Sequence, residues 1–178
     1  MSAWIQTYSG LAFDFELPRL EQISIEDIAH AAAYLCRFVG HCERFYSVAE
    51  HSVHAADLLR MFGPDFARWG LMHDAHEPYV ADLPSPLKRL LPDYRRFEKI
   101  AENAVRRKFG LVGEMPAVVK RIDLVLLASE AAALHRPPPR DWDLPERPLL
   151  GWSPQCWAPE VAEARFLETF AELFPEAA

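Results

Sequence analysis

Cysteine is scarce in this chain, and long apolar runs are missing. The three cysteines, Cys36, Cys42 and Cys156, are odd in number and irregularly spaced, which argues against a disulfide framework and favours a reducing compartment. No apolar run approaches the roughly 20 residues of a membrane span. The first residues also lack the basic-then-apolar layout of a signal peptide. We therefore expect a cytoplasmic protein without a membrane partner.

Basic charge is also in short supply. The net charge is −7, so we expect no nucleic-acid polymer as a partner. A phosphate group can still bind where a few basic side chains gather, because only the local charge matters for a small substrate. Hydrophobic residues make up 51% and charged residues 25% of the 178 residues, which is a globular composition that fits a single domain over 1–178.

The periodicity of the chain predicts a mainly α-helical fold with a short N-terminal β-hairpin. Two short apolar runs separated by Ser9-Gly10 predict the hairpin over 4–15. Serine caps, glycine stops and apolar spacing predict helices over 24–37, 47–62, 64–77, 83–91, 92–109, 116–134 and 160–173. Asp82 is expected to cap the fourth of these. Recurrent proline predicts an irregular excursion over 135–159 that packs down through its tryptophans.

The pair His73-Asp74 is the most informative feature of the sequence. It lies in an apolar run, after Trp69–Met72 and before Ala75. A helix turns about 100° per residue and cannot bury two adjacent residues on one face. Ionisable groups in apolar surroundings need partners, and a divalent metal satisfies an imidazole and a carboxylate together. We therefore predict a metal site, with His51 as the natural third ligand.

Asp123 is the best candidate for a fourth ligand, because it is an acidic residue between the apolar Ile122 and Leu124 of a predicted helix. Two imidazoles and two carboxylates suit one divalent transition metal, Zn, Mn, Co, Fe or Ni, better than Mg or Ca. Such a set leaves room for the water that a hydrolase needs. On a helix from Pro64, Glu77 would share a face with His73 and overhang the metal.

The order His…His-Asp…Asp resembles that of the HD-domain phosphohydrolases. The stretches 47–52, 73–77 and 81–88 are similar to those of the bacterial 5'-deoxynucleotidase branch. The 4–15 hairpin and the 25–30 helix are more like phage-associated members, some of which are triphosphohydrolases acting on dATP. The resemblance covers roughly 4–134. It implies a deoxynucleotide substrate, as either the monophosphate or the triphosphate, and association into a homo-oligomer.

The resemblance also implies a role for each matching residue. One metal would be bound by His51, His73, Asp74 and Asp123. Glu77 would be the acid/base residue, and Asp82 would position the substrate or share proton transfer. The pair Arg37-Phe38 would hold phosphate and sugar, although Trp is common where this chain has Phe38. Lys88 is expected to meet phosphate oxygens as a point charge. His41 is a further phosphate candidate because it is near Arg37 in the sequence.

Three alternatives compete with this interpretation. Cys36, His41 and Cys42 could form a structural zinc site, but their spacing matches no common finger. His76-Glu77 begins the H-E-x-x-H pattern of zinc proteases, yet Val80 replaces the second histidine. The third alternative is a non-enzymatic, nucleotide-binding or regulatory HD domain with a structural metal. Such a domain would normally lose a ligand, and none of the four is lost here.

Overall fold

The computed structural model describes residues 3–176. It confirms a mainly helical fold with a short antiparallel hairpin at the N-terminus, in which Ile5 pairs with Phe13. The strands are β1 Trp4–Gln6 and β2 Ala12–Asp14. The helices are α1 Ile25–Tyr34, α2 Val48–Leu59, α3 Pro64–Met72, α4 Glu77–Val80, α5 Ser85–Lys88, α6 Pro92–Lys108, α7 Ala117–Leu134 and α8 Pro159–Leu173, with 3-10 turns at Leu20–Gln22, Arg37–Gly40 and Arg60–Phe62. In this described part, none of the helices has the length and apolar character needed to cross a membrane.

The start of α1 ties the N-terminal hairpin to the helical body. Ser24 caps the helix by accepting a hydrogen bond from the backbone N–H of Glu26 at 3.1 Å. The buried Asp27 carboxylate accepts instead from the backbone N–H and the hydroxyl of Ser9, at 2.6 and 2.9 Å. The acid of the predicted cap therefore serves a tertiary contact that holds the hairpin turn.

The start of α2 likewise has a serine cap followed by a carboxylate that binds a distant segment. Ser47 accepts from the backbone N–H of Glu50 at 3.1 Å. The fully buried Glu50 carboxylate accepts from three successive backbone N–H groups far along the chain, at 2.8, 2.8 and 2.6 Å, those of Gln155, Cys156 and Trp157. Because these are charge-assisted bonds in a buried setting, they anchor the proline-rich segment beside α2.

Close contact between α2 and α3 depends on Gly70. A Cβ at this position would lie 2.6 Å from Leu59 Cδ1 and 3.0 Å from the backbone of Ala55, so any larger residue would push the two helices apart. This approach brings His51 of α2 against His73, which directly follows α3. The helix pair thereby sets the geometry of the candidate site.

Two of the predicted helices end earlier than expected. The first helix ends at Tyr34, before Arg37, because the chain turns there to form a bridge between Cys36 and Ser47. The third predicted helix ends at Met72, and Glu77 begins a separate helix whose first turn accommodates Pro78.

The expected Asp82 cap is also wrong. The short helix α5 begins at Ser85, after Pro84, and no side chain caps it. The fixed φ of proline already suits the entry into a helix, so α5 begins without a capping carboxylate. The Asp82 carboxylate therefore does not serve as a helix cap.

Residues 135–158 contain neither helix nor strand, as predicted for the proline-rich excursion. Two of its tryptophans pack down, since the rings of Trp152 and Trp157 lie 5.4 and 5.3 Å from that of His54 on α2. The chain then enters α8, which packs against α1, α2 and α3. The centre of the core is thus formed by α1, α2, α3 and α8.

Candidate metal centre

Four side chains converge where α2, the end of α3 and α7 meet. His51 Nε2 lies 3.2 Å from His73 Nε2 and 3.5 Å from Asp123 Oδ1. Asp74 Oδ2 lies 3.2 Å from His73 Nε2 and 3.8 Å from His51 Nε2. The structure therefore brings all four predicted ligands together. His51, His73 and Asp74 form a cluster that could hold a metal ion.

The hydrogen bonds of the two imidazoles show that their chemistry fits a cation. His73 Nδ1 lies 2.7 Å from the carbonyl oxygen of Gly70, and His51 Nδ1 lies 2.6 Å from Glu130 Oε1. A carbonyl or carboxylate oxygen only accepts, so each Nδ1 carries the proton. In the neutral rings, both Nε2 lone pairs then face each other across 3.2 Å. A positive charge between them relieves this repulsion, as in metal sites whose histidines are oriented by outer carboxylates.

The pKa shifts of His51 and Asp74 also favour positive charge between the side chains of the site. Burial and the Arg37 charge act to lower the pKa of His51, but Glu130 and the hydrogen bonds of Asp123 and Glu130 outweigh them and raise it to about 9. Burial acts to raise the pKa of Asp74, yet His73, His51 and Arg37 hold it well below its usual value. The Asp74 carboxylate is therefore ionised at neutral pH, and a metal that binds His51 Nε2 competes with a proton there.

Arg37 lies beside this cluster in a buried position. Its Nε donates to Glu130 Oε2 at 3.2 Å, and its Nη1 lies 3.5 Å from Asp74 Oδ2. Burial acts to lower the pKa of Arg37, but Glu130, Asp74 and Asp82 raise it further above its usual value. A permanently charged guanidinium therefore adjoins a predicted metal ligand.

Glu77 is buried next to the cluster, although it does not share a helix with His73. Its backbone N–H donates to the carbonyl oxygen of Asp74 at 2.9 Å. Burial, with the charges of Asp74 and Asp82, raises the pKa of Glu77 well above its usual value. Its Oε2 is buried and, among residues 3–176, has no hydrogen-bond partner. A carboxyl of this kind is suited to proton exchange.

Lys88 approaches from α5 and is already paired. Its Nζ lies 2.6 Å from Glu98 Oε1 in an ion pair and donates to Glu77 Oε1 at 3.5 Å. Hydrogen bonds and charges from His76 and Lys88 outweigh the effect of burial and lower the pKa of Glu98 to about 2. The ammonium is therefore held beside Glu77 by a second carboxylate from α6.

Phe38 and His41 lie outside the cluster. The backbone of Phe38 and of Val39 is left-handed, with φ of 56° and 55°, which is strained for a β-branched residue. The Phe38 ring packs against those of His135 and Trp142, and the Arg37 guanidinium lies 5.6 Å from its centroid. His41 is exposed and lines a shallow cavity of about 440 Å³ with residues 134–139 and Trp142. Phe38 thus adjoins the guanidinium, whereas His41 lines a cavity that includes none of the predicted metal ligands.

The cysteines do not build a second metal site in the described chain. Cys36 and Cys42 place their Sγ atoms 3.9 Å apart. Within residues 3–176, however, neither cysteine belongs to a group that brings three candidate ligand atoms within 4.8 Å of one another. The proposed Cys-His-Cys zinc module lacks the third ligand that it would need.

Sequence reasoning missed two carboxylates that contact site residues. Glu130 is fully buried and contacts His51 and Arg37. Glu98 holds Lys88. Glu130 follows Asp123 by seven residues, which is two helical turns, so spacing on α7 offered a signal. No such spacing signal pointed to Glu98, because it pairs with a side chain from another helix.

No family model matches this chain. It is 39% identical over 175 residues to the uncharacterized protein YfdR of Escherichia coli strain K12, covering 96% of each chain. It is also 36% identical over 126 residues to an uncharacterized protein of Rhodobacter capsulatus, covering 67% of this chain and 64% of the relative. The first match extends over the hairpin, the candidate centre, the proline-rich segment and α8 alike. The chain therefore belongs to the family of the Escherichia coli protein YfdR.

Proposed function

We propose that the protein is an HD-type, metal-dependent phosphohydrolase that removes the 5' phosphate, or triphosphate, from a deoxynucleotide. The observation that carries the proposal is the convergence of two imidazoles and two carboxylates beside a buried guanidinium. The resemblance of the sequence to HD-domain enzymes supports the same reaction class.

The donor set favours one divalent transition metal held by His51, His73, Asp74 and Asp123. The two Nε2 atoms lie 3.2 Å apart, and each lies 3.2 to 3.8 Å from one oxygen of Asp74 and one of Asp123. These distances are close to the separation expected around an ion with bonds of about 2.0–2.2 Å. Zn, Co, Mn, Fe and Ni suit such a mixed set. When bound, the ion supplies Lewis-acid activation of water and neutralises phosphate charge.

Arg37 is the group placed to hold the phosphate. Glu130 engages its Nε edge, while Nη1 faces Asp74 at the site. A guanidinium offers fixed N–H groups that match phosphate oxygens, and its charge is maintained at any working pH. Phe38 packs beside it and would contact the sugar.

Glu77 is the group placed to move a proton. Hydrolysis joins a water oxygen to phosphorus and breaks the bond to the 5' oxygen, which leaves as a hydroxyl. One proton is therefore taken from water and one reaches the 5' oxygen. A buried carboxyl with a raised pKa is a stronger base than an ordinary carboxylate and suits either transfer. Asp82 assists by its charge, which contributes to that raised pKa.

The available positive charge favours a monophosphate over a triphosphate. Arg37 is shared between Glu130 and Asp74, and Lys88 between Glu98 and Glu77. Neither cation is unpaired, so little positive charge remains for two further phosphate groups. A monophosphate carries a charge of only about −2 at neutral pH, which the metal and Arg37 can balance.

The test is a panel of deoxynucleoside mono- and triphosphates, incubated with the protein after loading with each of the five metals in turn. We expect metal-dependent release of inorganic phosphate and nucleoside from at least one monophosphate. Release of triphosphate would instead favour the dNTP reaction. Nucleotide binding without turnover under any metal would reject the enzyme and favour the regulatory alternative.

A further inference from the structure

We infer that Glu130 is a positioning residue that joins the metal ligand His51 to the phosphate-holding Arg37, so that one buried carboxylate orients both groups. The inference rests on the proposed function for the role of Arg37. Its metal-binding half does not depend on turnover.

The two oxygens of Glu130 accept hydrogen bonds from different side chains. Oε1 accepts from His51 Nδ1 at 2.6 Å and from the Tyr46 hydroxyl at 2.8 Å. Oε2 accepts from Arg37 Nε at 3.2 Å and faces Nη2 at the same distance. The Glu130 side chain is fully buried. Its partners thus satisfy both oxygens from two sides, as a buried carboxylate requires.

On the His51 side, the contact fixes which nitrogen faces the other ligands. Because the carboxylate holds the Nδ1 proton, the Nε2 lone pair is directed towards His73 and Asp123. A histidine held in this way binds a metal more tightly than one whose ring is free to rotate or change tautomer.

On the Arg37 side, the contact fixes the plane of the guanidinium. Glu130 uses the edge formed by Nε and Nη2, which leaves Nη1 towards Asp74. Without Glu130, Asp74 would be the one carboxylate in an ion pair with Arg37 among the described residues, and a bound metal would also engage Asp74. Glu130 therefore keeps the charge in place whether or not Asp74 is ligating.

The helix α7 supplies both a ligand and this carboxylate from one face. Asp123 and Glu130 are two turns apart, so their side chains line the same side of α7. Movement of α7 would shift Asp123 and Glu130 together. The geometry therefore points to α7 as the element that aligns metal ligation with phosphate recognition.

The experiment compares Glu130→Gln with Glu50→Gln, with metal affinity measured by chelator competition and inorganic phosphate binding measured by calorimetry on the metal-loaded protein. Both carboxylates are fully buried and accept several hydrogen bonds, but the partners of the Glu50 carboxylate within residues 3–176 are His54 and backbone N–H groups of the proline-rich segment, not the side chains of His51 or Arg37. We expect Glu130→Gln to lose roughly 10- to 100-fold in metal affinity and to bind phosphate more weakly. Glu50→Gln should lose folding stability with little change in metal affinity.

Parental metal affinity in a folded Glu130→Gln protein would overturn the inference, as would an equal loss in Glu50→Gln. If Glu130→Gln does not fold, Glu130→Asp replaces it. That variant keeps the charge but is too short to reach both partners, and it should still lose metal or phosphate affinity. A parent that binds metal but hydrolyses no nucleotide would reject the proposed function, while the metal measurement still tests Glu130.

Discussion

The two cations beside the candidate centre are held in different ways. Arg37 is 7% exposed and pairs with the fully buried Glu130. Lys88 lies on the four-residue helix α5, and its side chain and that of its partner Glu98 are 19% and 17% exposed. Buried ion pairs fix geometry because each charge depends on its partner, whereas partly exposed pairs are weaker and adaptable. The Arg37 side of the centre is therefore preorganised, and the Lys88 side can adjust to what enters.

Removal of a ligand from the candidate centre is expected to have the largest effect. His73→Ala removes a ligand and the lone pair that faces His51, so we expect metal content and turnover to be lost together. Metal analysis of the purified variant and an assay on the preferred deoxynucleotide check this. Stoichiometric metal with near-parental turnover would contradict the whole assignment of the centre.

A substitution at Glu77 tests the Lys88 side of the centre. Glu77→Gln keeps the shape of the side chain but removes the carboxyl that exchanges protons, so turnover should fall by roughly 10²–10⁴-fold. Metal content should stay parental, because the side chain is not in the ligand cluster. Steady-state kinetics with metal analysis separate the two effects. Unchanged turnover would return Glu77 to an ordinary buried carboxyl.

The reciprocal exchange of the two cations tests the comparison directly. Arg37→Lys should reduce kcat/KM on a deoxynucleotide by roughly 10- to 100-fold, since it loses at least one charge-assisted hydrogen bond of about 1.5–3 kcal/mol. Lys88→Arg should change it by less than about fivefold, because a point charge at an adaptable position tolerates replacement. Both variants should retain the metal. Equal losses in the two variants would show that the sides are not held differently.

Sequence reasoning predicted the helical fold, and it singled out residues that the structure brings together, for a physical reason. His51, His73, Asp74 and Asp123 stand out as polar residues in apolar helical surroundings, and that signal is local. It failed at Glu77, because Pro78 begins a new helix instead of ending the old one. The predicted helix 64–77 contains α3 and the first residue of α4. The error therefore concerns where one helix ends and not which residues lie near the candidate centre.

The sequence did not predict which distant donors the buried carboxylates bind. Asp27 and Glu50 each follow a capping serine by three residues, yet they bind Ser9 and the backbone at 155–157. The spacing of Glu130 from Asp123 places it on the same side of α7 but does not indicate Arg37 as its partner, and Glu98 carries no local signal of Lys88. Which donor reaches a buried carboxylate depends on how distant segments pack, and a single sequence does not encode that as a spacing.

The smallest expected effect concerns Glu98 and its dependence on pH. The pKa of Glu98 is lowered to about 2 from 4.5, mainly by hydrogen bonds and charges from His76 and Lys88 acting against burial. A lowered folded-state pKa stabilises the protein above the unfolded value, and that stabilisation is lost as the pH falls through the folded value. Glu98→Gln should therefore lower the free energy of unfolding by less than about 1 kcal/mol at pH 6, as expected for a partly exposed pair. Urea unfolding at stepwise lower pH should show the gap between parent and variant begin to close near pH 4.5 and narrow steadily towards pH 2. A gap that is constant with pH would mean that the Lys88 pair contributes nothing, and the adaptable side would then be held by packing alone.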